Sequence, residues 1–251
     1  MKHQWIRGVY IGGVMASVMF PVHTMATSPS NHSPTQRAVS ATGATIATPS
    51  SPAASNETVA LPVAQTMTPA EITAQYAYIE AVGPNTSMAK IETAENAYQT
   101  LQRQTPKLGY GCRMASLMAV KATQVRWPHQ KIGYANQSIR LFDRLERQAM
   151  ASDDPQERYE FHLYRGRTYS NFPGFLNKKQ AAAADLRKAA EMAPSLNRPP
   201  EELGSFYLAY ALFLEKDGDL AGAKHYGRLA HDYVLSDHDA KAAKKLLERL
   251  K

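Results

Sequence analysis

The sequence predicts an all-helical protein built of stacked helix pairs, and three observations carry that prediction. After Met67 the apolar residues recur at spacings of three and four instead of alternating. Alanine, leucine, lysine and glutamate, all strong helix formers, dominate those periodic stretches. Small residues fall where two neighbouring helices have to touch, as with Gly166 and Ala182, or Ala211, Ala223 and Ala230. Between Thr68 and Lys251 the pattern accommodates about four helix pairs followed by one capping helix.

The residues before this region read differently. Lys2 and Arg7 precede an apolar run from Gly8 to Phe20, and Thr24-Met25-Ala26 offers small residues to a peptidase, so residues 1–26 are expected to be a secretory signal peptide cleaved after Ala26. A membrane-spanning helix needs about 20 apolar residues. Pro21 and His23 interrupt this run too early, so no stable membrane insertion is expected once the signal is removed. No cysteine follows the run to carry a lipid. Residues 27–67 are almost entirely Ser, Thr, Ala, Pro, Val, Asn and Gln, with too little large apolar surface to offset ordering entropy, and are expected to form a flexible linker. Asn56-Glu57-Thr58 matches a glycosylation sequon by pattern alone. The expected address is periplasmic or secreted.

The helical region, 68–251, opens on Thr68-Pro69-Ala70-Glu71, a cap, a first-turn proline and a back-reaching carboxylate at capping-box spacing. That helix is expected to end by Val82-Gly83-Pro84. Ser87 then caps a second, with Ile91, Ala94, Tyr98 and Leu101 on one face and Pro106 beyond its end. The second pair starts near Leu108 with Cys112, Ala115, Ser116 and Ala119 as its close-packing face. It resumes at Ile132 after a connection containing Arg126-Trp127-Pro128. Asp154-Pro155-Gln156-Glu157 starts the third pair, whose helices are separated by the loop Asn171-Phe172-Pro173-Gly174-Phe175. Pro199-Pro200-Glu201 starts the fourth, with Asp217-Gly218-Asp219 as its turn. Ser236-Asp237-His238-Asp239 caps a last helix with Ala240, Ala243, Leu247 and Leu250 on its apolar side and lysines opposite.

With the pairs placed, the fourth resembles a tetratricopeptide repeat at Tyr207, Ala211, Leu214, Ala223, Ala230 and Leu235, although Gly227 stands where an aromatic is usual and Leu235 where proline is usual. The third matches at Gly166, Tyr169, Ala182, Leu186, Ala189 and Pro194 once a few residues are inserted between its helices, with Arg165 at a normally apolar position. Ala94, Tyr98 and Pro106 supply the first, and the second diverges. The resemblance implies a right-handed solenoid whose first helices line a concave groove for an extended peptide or partner helix. It also implies a non-catalytic interaction or scaffold module of the periplasm or cell envelope. Carried over by position, the groove residues are Glu160, Leu163, Arg167, Ser170 and Asn171 in the third pair. In the fourth they are Ser205, Leu208, Leu212, Glu215 and Lys216. Two rival readings stay open: a helical accessory protein of a transport system that encloses a small ligand, and a structural homo-oligomer.

Motifs that carry chemistry elsewhere have simpler readings. Ser87-Met88-Ala89-Lys90 has the Ser-x-x-Lys spacing of penicillin-recognising enzymes, but no Lys-Thr-Gly accompanies it and Ser87 serves as a cap. His231, Asp232, Asp237, His238 and Asp239 share no regular ligand spacing, so no metal and no cofactor are expected. The lone Cys112 reads as a small buried apolar residue. Of the formal net charge of +7, the stretch before Thr68 contributes Lys2, Arg7 and Arg37 against Glu57. The mild excess that remains is mixed with acids on most helices, which is no nucleic-acid footprint. Trp127 either plugs the second pair's connection or anchors a partner. Phe172 and Phe175 pose the same choice, and the two loops form one apolar patch if they project on one side.

Overall fold

The computed structural model describes residues 67–83, 85–196, 198, 200–233 and 237–251. The expected signal peptide and all of the expected linker except Met67 lie outside them, as do Leu235 and Ser236. The described residues form helices joined by turns, with no strand among them: α1 Pro69–Val82, α2 Met88–Gln104, α3 Leu108–Gln124, α4 Pro128–Ala151, α5 Pro155–Ser170, α6 Lys179–Met192, α7 Pro200–Asp217, α8 Leu220–Tyr233 and α9 Asp237–Arg249.

Local chemistry explains most of the helix ends. Thr68 Oγ1 accepts from Glu71 N at 3.2 Å while Glu71 Oε2 accepts from Thr68 N at 2.8 Å, a complete capping box. Asp154 caps α5 by accepting from Gln156 N at 2.8 Å, and Ser87 caps α2. Gly218, at φ 93, makes the two-residue turn from α7 to α8, a left-handed conformation that a side chain would strain. Helix α4 begins at Pro128, four positions before the expected Ile132. Proline is preorganised for the first helical position, so Pro128 starts the helix here instead of breaking one. The connection from α3 is therefore short, and Trp127 has no gap to plug. Its ring is 57 % exposed.

Each odd-numbered helix packs against the even-numbered helix that follows it, and α1, α3, α5, α7 and α9 also pack against one another in order. Named contacts fix the directions. Lys90 on α2 meets Glu80 on α1 at 2.7 Å, start against end, so partners within a pair run antiparallel. Ser116 meets Thr168 at 2.9 Å, the rings of Tyr159 and Phe206 lie 6.2 Å apart, and Arg249 reaches Glu215 at 2.7 Å, so successive odd helices run parallel. All turns within pairs consequently share one edge of the stack, where Lys179 of α6 pairs with Asp217 of α7.

Helix α3 separates two apolar clusters. Tyr110, Leu117 and Val120 face α1 and α2, while Leu108, Cys112 and Ala115 face the larger core that runs through to α9. Small residues set the spacing: Ala74, Ala81, Ala94, Ala115, Ala182, Ala189, Ala211, Ala223, Ala230 and Ala243 are all fully buried. Departures from the repeat pattern have physical reasons. A Cβ on Gly227 would come within 3.2 Å of Leu247 and 3.3 Å of Leu246, so glycine lets α9 approach where an aromatic would stand it off. Arg165 lies 4.4 Å from the Phe161 ring centre and is held by Asp185 at 2.6 Å and Glu146 at 2.8 Å, which satisfies a cation where the pattern has an apolar side chain. On α9 the buried apolar residues are Ala243 and Leu246, one step from the expected Leu247, with Lys241, Lys244 and Lys245 exposed.

Two glycines test the close-approach account. A Cβ on Gly166 would stand 2.9 Å from Leu186 and 3.1 Å from Asp185, whereas Gly133 has open space around it. In urea denaturation, Gly166→Val is expected to lose about 2 kcal/mol through overpacking. Gly133→Ala is expected to gain about 0.5–1 kcal/mol through helix propensity.

Candidate functional site

Polar side chains join the odd-numbered helices along their shared row, and the largest group lies between α3, α5 and the start of α7. Arg113 Nη1 donates to Glu160 Oε2 at 3.2 Å and to Gly109 O at 3.0 Å, and Gln156 donates to Glu160 Oε1 at 3.3 Å. Arg198 lies 3.9 Å from Glu160 and also pairs with Glu202, its Nε donating to Oε1 at 3.0 Å. Aromatic faces enclose both cations, with Arg113 4.7 Å from the Tyr164 ring centre and 5.8 Å from that of Tyr98, and Arg198 5.3 Å from that of Tyr159. Gly109 makes room for this arrangement, because a Cβ there would fall 2.0 Å from Glu160 Oε2.

Electrostatics separates the two carboxylates. Burial pushes Glu160 up, but the charges of Arg113 and Arg198 and the hydrogen bonds from Arg113 and Gln156 outweigh it and hold the group below the usual carboxylate range. Glu202 is displaced the other way, since burial outweighs its pairing with Arg198. Within this region Arg113 Nε, Tyr159 Oη, Glu202 Oε2 and Ser205 Oγ are buried and have no protein partner. Buried polar groups left so are uncommon in native proteins.

A second group ties α1 to α3. Glu71 Oε1 accepts from Lys107 Nζ at 2.6 Å and from the Tyr110 hydroxyl. Burial pushes the carboxyl up, but the hydrogen bonds from Lys107, Tyr110 and Thr68 outweigh it and hold Glu71 at about 2.

The residues expected in the groove divide by exposure. Leu163 and Leu208 are core residues, and Arg167 and Ser205 are buried as well. Helix α7 is apolar almost all round, with Phe206, Leu208, Tyr210, Ala211 and Phe213 each buried, so a register copied from a repeat pattern cannot assign it an open face. Glu160 is engaged in the cluster described above. Ser170 donates to Arg167 O at 2.8 Å, Asn171 Nδ2 donates to the same oxygen at 2.7 Å, and Glu215 is held by Arg249. Asn171 and Lys216 are exposed, while Ser170, Leu212 and Glu215 are half-buried. Of the loop aromatics, Trp127 and Phe175 are exposed, and Phe172 stacks on Tyr169 at 5.4 Å against the core.

Arg113, Arg198 and Glu202 were not singled out by the sequence. Arg198 lies before the first residue of α7 and reaches Glu202 from outside the helix, and Arg113 and Glu160 are 47 positions apart and meet only through the fold. Cys112 is fully buried with its thiol pushed up by burial, and Lys90, the lysine of the Ser-x-x-Lys spacing, is paired with Glu80.

No protein-family model, curated protein or solved structure matches the chain.

The Glu71 group predicts a pH dependence. A carboxyl held at about 2, against an ordinary 4.5, stabilises the fold fully above 4.5 and loses that contribution as pH falls through 2. Glu71→Gln keeps the cap and removes the charge, and is expected to cost about 1.5 kcal/mol at neutral pH. Unfolding curves of the two proteins should converge near the lower pH.

Proposed function

We propose that the helical region is a non-catalytic binding or scaffold module of the bacterial periplasm or cell envelope. In this reading it has a tetratricopeptide-like arrangement and holds an extended peptide or a partner helix along the row of odd-numbered helices. The observation that carries the reading is that α3, α5 and α7 lie side by side in parallel register, with Arg113, Glu160, Arg198 and Glu202 running across them. With those charges paired to one another, contact with an extended chain falls to the polar groups at the surface of the row. Ser170, Asn171, Leu212, Glu215 and Lys216 are the candidates that retain exposed surface, and Leu163, Leu208, Arg167 and Ser205 support them from within.

A second reading rests on the buried atoms without protein partners. Arg113 Nε, Tyr159 Oη, Glu202 Oε2 and Ser205 Oγ suit a small polar ligand enclosed between helices, bound by a helical accessory protein of a transport system.

Capture from an envelope extract separates the two. Ser170→Tyr with Leu212→Glu should reduce partner recovery by roughly tenfold, a loss of about 1.4 kcal/mol. Lys188→Glu, on the outward side of α6, should leave it unchanged. Equal recovery by all forms would remove the groove reading, and a small molecule retained in native mass spectra would favour the second.

A further inference from the structure

The turns within pairs share one edge, and three of them repeat one composition. Between α3 and α4, Trp127 is 57 % exposed beside exposed Arg126. Between α5 and α6, Phe175 is 54 % exposed and Lys178 and Lys179 follow. At the turn from α7 to α8, Leu220 is 56 % exposed, with exposed Lys216 before it and half-buried Lys224 after it. Ile132, one turn into α4, adds a further exposed aliphatic. Several acids here are matched by cations or caps: Asp217 pairs with Lys179, Glu80 with Lys90 and Glu215 with Arg249, while Asp219 accepts from Gly222 N at 2.8 Å as the cap of α8; Arg126, Lys216 and Lys224 lie outside those pairs. The opposite edge carries exposed charges of both signs, Asp153, Asp154, Glu191 and Asp232 with Arg103, Lys107, Arg147 and Arg158, and Trp127, Phe175 and Leu220 are all on the turn edge.

We propose that this edge is a docking surface for an anionic lipid bilayer, distinct from the row of odd-numbered helices except at Lys216, which borders both. Large apolar side chains alternating with cations are what a headgroup region accommodates. Tryptophan and phenylalanine settle at the boundary between headgroups and acyl chains. Lysine and arginine lay their stems along apolar surface while their charges meet lipid phosphates. Neither element alone gives stable attachment, and the edge supplies both. Charge complementarity selects the lipid surface: the exposed apolar groups include the aliphatic Leu220 and Ile132, which give a single-stranded nucleic acid nothing to stack on. Among the described residues no helix is long and apolar enough to cross a membrane, so the attachment is peripheral.

The sequence holds two tryptophans, so Trp5→Phe in the full chain leaves Trp127 as the sole reporter. Sedimentation with vesicles would not discriminate, because the run from Gly8 to Phe20 is itself apolar. Trp127 emission does. Phosphatidylcholine vesicles containing phosphatidylglycerol should shift it to the blue, and brominated acyl chains should quench it. Each surface cation contributes about fivefold to such binding. Arg126→Gln with Lys224→Gln, neither of them in an ion pair above nor in the row of odd-numbered helices, should therefore weaken the response roughly twenty-five-fold. Arg147→Gln with Arg158→Gln, on the opposite edge, should not change it. Circular dichroism checks the fold of each variant. The proposal is overturned by unaltered Trp127 emission with anionic vesicles or by an equal response to pure phosphatidylcholine. It is also overturned by an equal response to single-stranded DNA, or by the same shift on raising protein concentration without lipid, which would mark a contact between copies.

Discussion

Close approach of helix to helix, permitted by small side chains, is the constraint on which the remainder of the structure depends. Ala182 and Ala189 of α6 pack beneath α5, where Gly166 leaves room for Leu186. Ala211 of α7 and Ala223 and Ala230 of α8 do the same for the last pair. Because these positions carry little or no side chain, larger residues on either side interdigitate: Phe142 with Phe161 and Tyr169, Tyr159 with Phe206, Tyr78 with Tyr98 and Tyr164. Each such aromatic stabilises by about 1.5–3 kcal/mol through burial. That gain exists only while the backbones stay close, since a gap of half an ångström already forfeits a quarter or more of each contact.

The same closeness brings charges together. With α3, α5 and α7 in parallel register, Arg113 meets Glu160, and Arg198 bridges Glu160 and Glu202. A buried pair of this kind adds little net stability, yet removing one partner strands the other at several kcal/mol. The cluster thus links α3, α5 and the start of α7 through charge. The turn edge differs: Arg126, Lys179 and Lys216 there are exposed, and exposed Trp127, Phe175 and Leu220 stand near them.

Much of the helical architecture was legible because helix signals are local. Thr68 with Glu71, Ser87 with its following turn, and Asp154 with Pro155 each act within a few residues, and the structure forms all three caps. The start of α4 at Pro128 is not legible locally, because a proline that starts a helix and one that ends a helix look alike until the neighbouring packing is known. The exposure of the groove residues was less legible. Leu163 and Leu208 have the right spacing for an open face, but whether a face is open depends on what the other helices cover. Arg113 and Glu160 illustrate the limit: the ion pair needs Gly109 on one helix and a partner 47 residues away, and no local pattern encodes that distance. That the turns within pairs, and with them Trp127, Phe175 and Leu220, share one edge is likewise revealed only by the topology.

Two alanines on α8 test the central claim most directly, because they share a helix and differ only in what faces them. Ala223 is fully buried against the neighbouring helix, and Ala221 is exposed. In urea denaturation, Ala223→Leu should lose about 1–3 kcal/mol by forcing the pair apart. Ala221→Leu should stay within about 0.5 kcal/mol of the parent. Equal effects at the two positions would contradict the account, since small size at the contact would then not be what holds the helices together.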